Sequence, residues 1–303
     1  MTNGRDPRSR TGSKADHDHL YVFCAIRGSM APRVVAKLPT MPGARAARAI
    51  PLTDDISLVV ADVPAATYRS ETLDARMSDL DWVARCGTAH HAVADAVASK
   101  HTVVPFRLFT IFSSEARARA TLRRAGARID EALTRVKGKA EWALRIGKPD
   151  VAPLETDNRT EKSARGRARV GSAQRAPAGT GPHARQPRVG PGMGAGSGTS
   201  FLAQKAAAKL AAADLAARVR GDAAHVFDTL TDIADEASER SNDAAAGLLL
   251  DAAFLVSARR TAAFKKALEA AAQGLLRDGC RVTLTGPWPP YSFVSLETRT
   301  ARD

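Results

Sequence analysis

The sequence predicts an α+β protein, and three observations carry that prediction. Short runs of β-branched and aromatic residues bounded by Gly, Pro or Asp read as buried strands. Longer stretches with apolar residues three and four apart read as helices, and the two kinds alternate along the chain.

Taken in order, "LYVFCAI" (20–26) and "ISLVVADV" (56–63) are strand-like. Leu73, Met77, Leu80, Val83, Ala94 and Val97 then recur at helical spacing. "HTVVPFRL" reads as a third strand, Ser113 and Ser114 open a second helix running to about Val136, and "AEWALRIG" (140–147) is a fourth strand. This order predicts a sheet with helices packed on one face. Further along, "FLAQKAAAKLAAADLAARVR" is built of helix formers, and a separate helix from Asp222 places Val226, Phe227, Leu230, Ile233 and Ala237 on one face. "AGLLLDAAFLVS" is a strand, Phe264, Leu268, Ala271 and Leu275 mark another helix, and "CRVTLTG" is the last strand, ending at Gly286.

Between the halves lies a different composition. Residues 150–198 are rich in Gly, Pro, Ser, Ala and Arg and almost free of large apolar side chains, which predicts a disordered insertion. Between Asn158 and Thr199, eight basic residues against the single acid Glu161 place more than half of the +13 net charge. Its "GPGMGAGSG" has neither the register nor the strand context of a dinucleotide loop. A chain of 303 residues with 44% hydrophobic content can build two cores, and the expected division is a disordered tail at 1–18, an α+β domain at 19–138, and a second at 139–303 that contains the insertion.

No apolar run of 18 residues occurs, and the polar start "MTNGRDPRSRTGSKADHDH" has no apolar core like that of a signal peptide. A cytoplasmic protein is expected. Cys24, Cys86 and Cys280 are odd in number and far apart, so they read as small buried hydrophobes rather than disulfide or zinc ligands.

The most distinctive stretch is "GPWPPYSF", residues 286–293. Its prolines lack a backbone donor and hold φ near −65°, excluding helix and central strand and leaving a stiff arm with three aromatics. Such an arm either clasps its own domain or presents a low-entropy recognition surface.

"LTGPWPPYSFV" (284–294) resembles the C-terminal signature of the gas vesicle GvpF/GvpL family. "YVFCAI", "VVPFRLFTIFSSE" (103–115), "EWALRI", "GTSFL" and "LLLDAAFLV" resemble further family segments in the same order. Phe109 stands where the family commonly has a glycine, and the insertion is longer and more basic than the family's pattern. The resemblance implies two ferredoxin-like domains. It also implies a non-enzymatic accessory protein of gas vesicle assembly that associates with the small hydrophobic shell protein and other vesicle proteins and uses no cofactor.

Beside that stand two other classes. A nucleic-acid or other polyanion binder would act through the basic insertion by salt-dependent phosphate contacts without sequence preference and without aromatic stacking. An enzyme would need convergent acid, base and nucleophile, and none stands out. Cys86 and His90 are four apart on a helix but make two ligands at most; His90 and His91 point different ways, His17, Asp18 and His19 lie in the tail, and Asp54 and Asp55 read as turn residues. No metal or cofactor site is expected. Arg107, beside Pro105, is a candidate partner contact. Within the arm, Trp288 with Pro287, Pro289 and Pro290 is expected to anchor to the body, and Tyr291 and Phe293 to face a partner.

Overall fold

The computed structural model describes residues 18–149, 197–241 and 247–294. The expected disorder of the tail and insertion therefore falls outside the described residues, apart from Asp18 and the helix that begins at Ser197.

The elements are β1 (His19–Arg27), α1 (Pro32–Val35), β2 (Arg48–Pro51), β3 (Ile56–Val63), α2 (Ala65–Tyr68), α3 (Ser70–Arg76), α4 (Leu80–Ala98), β4 (Val103–Pro105), β5 (Ile111–Phe112), α5 (Glu115–Arg124), α6 (Gly126–Arg135), β6 (Lys139–Gly147), α7 (Ser197–Thr231), β7 (Glu236–Ser241), β8 (Leu248–Ser257), α8 (Thr261–Ala271), α9 (Gln273–Arg277) and β9 (Arg281–Trp288). A 3-10 turn, Tyr291–Phe293, follows β9. Helix starts obey local chemistry: the Asp79 carboxylate accepts the Trp82 N–H at 3.0 Å to open α4, and Ser114 Oγ accepts the Arg117 N–H at 3.2 Å to open α5.

These strands form two antiparallel sheets. The first runs β2-β3-β1-β4, with β5 also paired to β1; the second runs β7-β8-β6-β9. In each, the first and third strands in chain order are central and the second and fourth lie outside them. The central strands β1 and β3 are the continuous apolar runs, as strands covered on both faces must be.

That coverage corrects the expectation of helices on one face only. Leu20, Val22, Leu58 and Val60 share a core with Leu122 of α5 and Ile129 and Leu133 of α6. The alternate residues Tyr21, Phe23, Val59 and Ala61 pack with Cys86, Val93 and Val97 of α4, together with Tyr68 and Trp82. In the second sheet, the Phe254 ring of β8 meets Phe227 of α7 at 5.6 Å and Phe264 of α8 at 5.3 Å. The opposite face of β8 sends Ala253 and Leu255 into the core of the first sheet. Both sheets belong to one compact unit, Met1–Lys148 with Val219–Asp303; Pro149–Arg218 form the other.

Other differences are local. β2 and β7 were not expected: "RAIP" is short and contains proline, and "EASERS" is polar, as lateral strands can be. Ala237 lies on β7 rather than on a helix, and the helix expected from Asp222 is the end of a continuous α7. β4 stops at Pro105, so Arg107 lies in the following turn. β9 does not end at Gly286 but continues through Pro287 to Trp288. It can do so because β9 is an edge strand with a register shift opposite Glu141 and Ala143, where a missing N–H breaks no central ladder.

Candidate functional site

The arm leaves β9 at a position only glycine can occupy. Gly286 has φ of +134°, and a Cβ there would lie 2.8 Å from the Glu141 carbonyl oxygen and 3.1 Å from the Trp142 ring. The Gly286–Pro287 bond is cis. Beyond it Pro289 and Pro290 are buried, and Phe293, 6% exposed, and Val294 enter the core shared by the two sheets.

A polar clasp holds this end in place. The Glu141 carboxylate, buried on β6, accepts the Ser292 N–H at 2.8 Å and the Ser292 hydroxyl at 2.9 Å. Arg240 of β7 donates to the same carboxylate and, at 2.7 Å, to Ser292 Oγ. The Arg135 guanidinium donates to the Phe293 carbonyl and approaches Glu236 at 3.5 Å. Buried charge is costly unless paired and hydrogen-bonded, and here both conditions are met.

The burial expected within the arm is thus reversed. Trp288, expected to be the buried anchor, is 36% exposed; Phe293, expected to face outward, is the anchor, with Pro289 and Pro290. The cause is the continuation of β9: Trp288 is its last residue, at the sheet edge, and the turn at Tyr291–Phe293 directs the later side chains inward. Pro287 is exposed and Tyr291 half-buried.

Trp288 rests edge-on against His91 at 4.8 Å, and its indole N–H donates to Thr285 Oγ1 at 3.1 Å. Together with Pro287, Pro289 and Pro290 it walls a groove of about 680 Å³. Val103, Ala140 and Trp142 contribute apolar lining, and Asp95, Lys100, His101 and Lys139 contribute charge or polarity. Tyr291 lies 6.1 Å from the His90 ring and 6.0 Å from His91, and its buried hydroxyl has no hydrogen-bond partner among the described residues. Burial raises its pKa well above the usual phenol value, with Cys24, Glu141 and Asp95 adding to the effect.

Beneath Tyr291 runs a second polar network. His90 is buried; its Nδ1 accepts the Tyr21 hydroxyl at 2.8 Å while its Nε2–H donates to the Phe106 carbonyl at 3.1 Å. With its proton committed to His90, the Tyr21 oxygen accepts the Phe109 N–H at 3.1 Å. This assignment requires a neutral imidazole, and burial pushes the His90 pKa down to about 4, against the opposing Phe106 hydrogen bond. Phe109 has φ of +64°, the one positive value at a non-glycine among the described residues, so it occupies a conformation that favours glycine. Its ring compensates by stacking on Trp82, 5.5 Å away and 5° from parallel.

The remaining candidates are dispersed. Arg107 is exposed, and its carbonyl accepts from the Thr110 N–H and hydroxyl, closing a turn. The Cys86 thiol faces the Tyr68 hydroxyl at 3.9 Å in the core, without meeting His90 at a metal site. His19 begins β1 and Asp18 pairs with Arg45 at 2.9 Å, while His17 lies outside the described residues. Asp55 accepts the Gly28 N–H through its carbonyl in the β2–β3 turn that also holds Asp54. Cys24, Cys86 and Cys280 are free and buried. Among the described residues no group of three or more His, Cys, Asp or Glu could hold a metal, and no helix is long and apolar enough to cross a membrane.

Sequence reasoning missed the Glu141–Arg240–Ser292 clasp. Its one visible signal is an acid inside the strand "AEWALRIG"; Arg240, on a polar strand, gives none.

Comparison with known proteins agrees with this arrangement. The family model "Gas vesicle synthesis protein GvpL/GvpF" matches residues 19–295. A protein of Streptomyces sp. (strain CB03234) named gas vesicle protein L is 28% identical over 248 residues, 80% of this chain and 81% of that protein. The crystal structure of gas vesicle protein GvpF from Anabaena sp. PCC7120 superposes with a TM-score of 0.60 at 15% identity, covering 92% of this chain and 97% of that one. GvpF from Microcystis aeruginosa gives 0.55 at 14%, covering 92% and 99%. With a family match spanning nearly all of the sequence between the two termini, the chain belongs to the GvpL/GvpF family of gas vesicle synthesis proteins.

Proposed function

We propose that this protein is a non-enzymatic accessory factor of gas vesicle assembly, cytoplasmic and vesicle-associated, that binds the small hydrophobic shell protein in the groove beside its C-terminal arm. Family membership supports the role, and one observation carries the site: Trp288 is left 36% exposed on the rim of an apolar groove while its neighbours are clasped. An exposed aromatic on a stiff, anchored segment is the kind of residue that dominates interfaces. Trp288 and Pro287 take the contact role first assigned to Phe293; Tyr291 supports the groove from beneath. Arg107, exposed in its turn, is a separate peripheral contact. Both sheets are read as ferredoxin-like units, divided near residue 138, on the strength of their repeated strand order.

The test is co-purification of the full chain with the shell protein. Trp288→Ala should weaken capture about tenfold or more, as truncating an interface hot spot does, with little change in melting temperature. Ala98→Trp, which fills the groove from α4, should do the same. Normal capture by both variants would remove the groove as the binding site. Loss of capture that merely tracks loss of stability would make the arm purely structural.

A further inference from the structure

The groove beside the arm has an apolar floor and a rim that is mostly of one sign. Val103 and Trp142, both buried, line it together with Ala140, and its charged lining residues are Lys100, Lys139 and Asp95. Further cations stand at its margin. Lys137 lies between the lining residues Val136 and Gly138, and Arg259 follows the lining residue Ala258. Lys265 is one turn beyond the lining residue Thr261 on α8, and its ammonium sits 4.5 Å from the centre of the Trp142 ring.

Part of this charge is already taken up. Asp235 holds two of the cations, Lys139 at 3.9 Å and Arg260 at 4.0 Å. Lys100 and Lys137 stand just past the C-termini of α4 and α6, where each faces about half a unit of negative helix dipole. What remains is Lys100, Lys137, Arg259 and Lys265 against Asp95. All five are exposed, and none forms an ion pair among the described residues. Even against the two helix ends, four cations and one acid leave the rim positive by about two charges.

An apolar floor beneath a positive rim selects its occupant. A wholly apolar segment would desolvate the rim cations without pairing them, which is costly. A nucleic acid would pair them through its phosphates and leave the apolar floor unused. A segment with apolar side chains on one face and carboxylates along its border satisfies both parts, and charges so placed guide encounter and fix register. We infer that the segment of the shell protein received by this groove is amphipathic and acidic, its apolar face on Val103, Ala140 and Trp142 and its carboxylates beside Lys100, Lys137, Arg259 and Lys265. The inference rests on the reading that the shell protein binds in this groove, and it supplies the chemistry of what enters.

Capture of the shell protein by the full chain, measured over a range of salt concentrations, reads this out. Rim charges act through screened attraction, so raising salt from about 0.05 to about 0.5 M should weaken wild-type capture about fivefold or more. Lys100→Glu combined with Lys137→Glu should weaken it about tenfold at low salt and flatten the salt dependence. Lys100→Arg combined with Lys137→Arg keeps the charge and should behave as wild type. Asp95→Lys removes the opposing acid and should tighten capture about two- to threefold. All these side chains are exposed, so unchanged melting temperatures establish that folding is intact. Capture that is indifferent to salt and to the glutamate pair, yet lost in Trp288→Ala and Ala98→Trp, keeps the groove as the shell-protein site and overturns its acidic occupant. Normal capture by Trp288→Ala and Ala98→Trp removes the site and the inference together. A single-stranded oligothymidylate that binds the wild-type chain as tightly as the shell protein does, and loses that binding in the glutamate pair, overturns the inference in favour of a nucleic acid.

Discussion

The two sheets share one strand order and solve the closure problem differently. The sheet around β1 is sealed by helices on both faces, and its charged residues stay at the margin: Arg48 reaches Asp62 at 3.0 Å and Glu115 at 3.2 Å with every partner about a third exposed. The sheet around β6 has Phe254 against α7 and α8 on one face. On the other, Ala253 and Leu255 join the shared core, while Glu141, Asp251, Arg145 and Arg240 form a charged set, with Arg145 bound to Asp251 at 3.1 Å. The second sheet therefore depends on a chain end being held by ions. A region closed by apolar packing tolerates loss of a charge; one closed by a polar clasp does not.

The sharpest way to break that comparison is to remove one carboxylate from the polar set beside each sheet. Glu141→Ala leaves Arg240 and the Ser292 N–H without their partner and should cost about 3 to 5 kcal/mol, the penalty for breaking a buried pair. Glu115→Ala, at the half-exposed Arg48 cluster, should cost about 1 kcal/mol or less. Paired denaturant titrations decide: equal losses would mean that the clasp is no more than a surface ion pair.

A second difference is one of pH. His90 lies in the core of the first sheet with a pKa of about 4, below the roughly 6.5 of the unfolded chain, so the unfolded state takes up the proton first. Stability from this group is complete above pH ~6.5 and falls as pH drops toward 4, by on the order of 3 kcal/mol. Tyr21, Tyr291 and His91 surround it, and none supplies an anion to accept a second imidazole proton. Denaturation midpoints for the wild type and His90→Gln, compared near neutrality and near pH 4, test this. The variant should be weaker at neutrality and lose less on acidification; parallel decline of both would assign the acid sensitivity to other groups.

What was legible in the sequence follows the same division. β1 and β3 were readable because strands buried on both faces are nearly continuous apolar runs, and β6 and β8 because Trp142, Leu144 and Ile146 and the run from Ala252 to Val256 keep an apolar pattern around Glu141, Arg145 and Asp251. β2 and β7 were not, since a lateral strand is held by its neighbour's ladder and shows no apolar pattern of its own. The arm was conspicuous from its prolines, but which of its aromatics turns inward was not. That choice is made by Glu141 and Arg240, 151 and 52 residues away from Ser292, and long-range pairing leaves no local pattern. Phe109 was visible only as a departure from a family glycine, and its φ of +64° gives that departure a physical meaning.

Phe109 also supplies the smallest effect and the finest discrimination. Its backbone sits where a residue with a Cβ is strained by about 1 to 2 kcal/mol, and the ring offsets this by stacking on Trp82 while Tyr21 accepts its N–H. Phe109→Ala removes the ring but keeps the strain, whereas Phe109→Gly removes both. Glycine normally lowers stability relative to alanine through unfolded-state entropy, by roughly 0.5 to 1 kcal/mol. Here the order should invert, with Phe109→Gly the more stable of the two by up to about 1 kcal/mol, and both below wild type because the Trp82 stack is lost. Thermal melts of the three chains read the order directly. If Phe109→Ala is the more stable, the positive φ is not held in solution and the Tyr21 hydrogen bond does not fix the turn. If Phe109→Gly matches or exceeds wild type, the ring contributes no net stabilisation, and the phenylalanine is tolerated at the glycine position rather than compensated there.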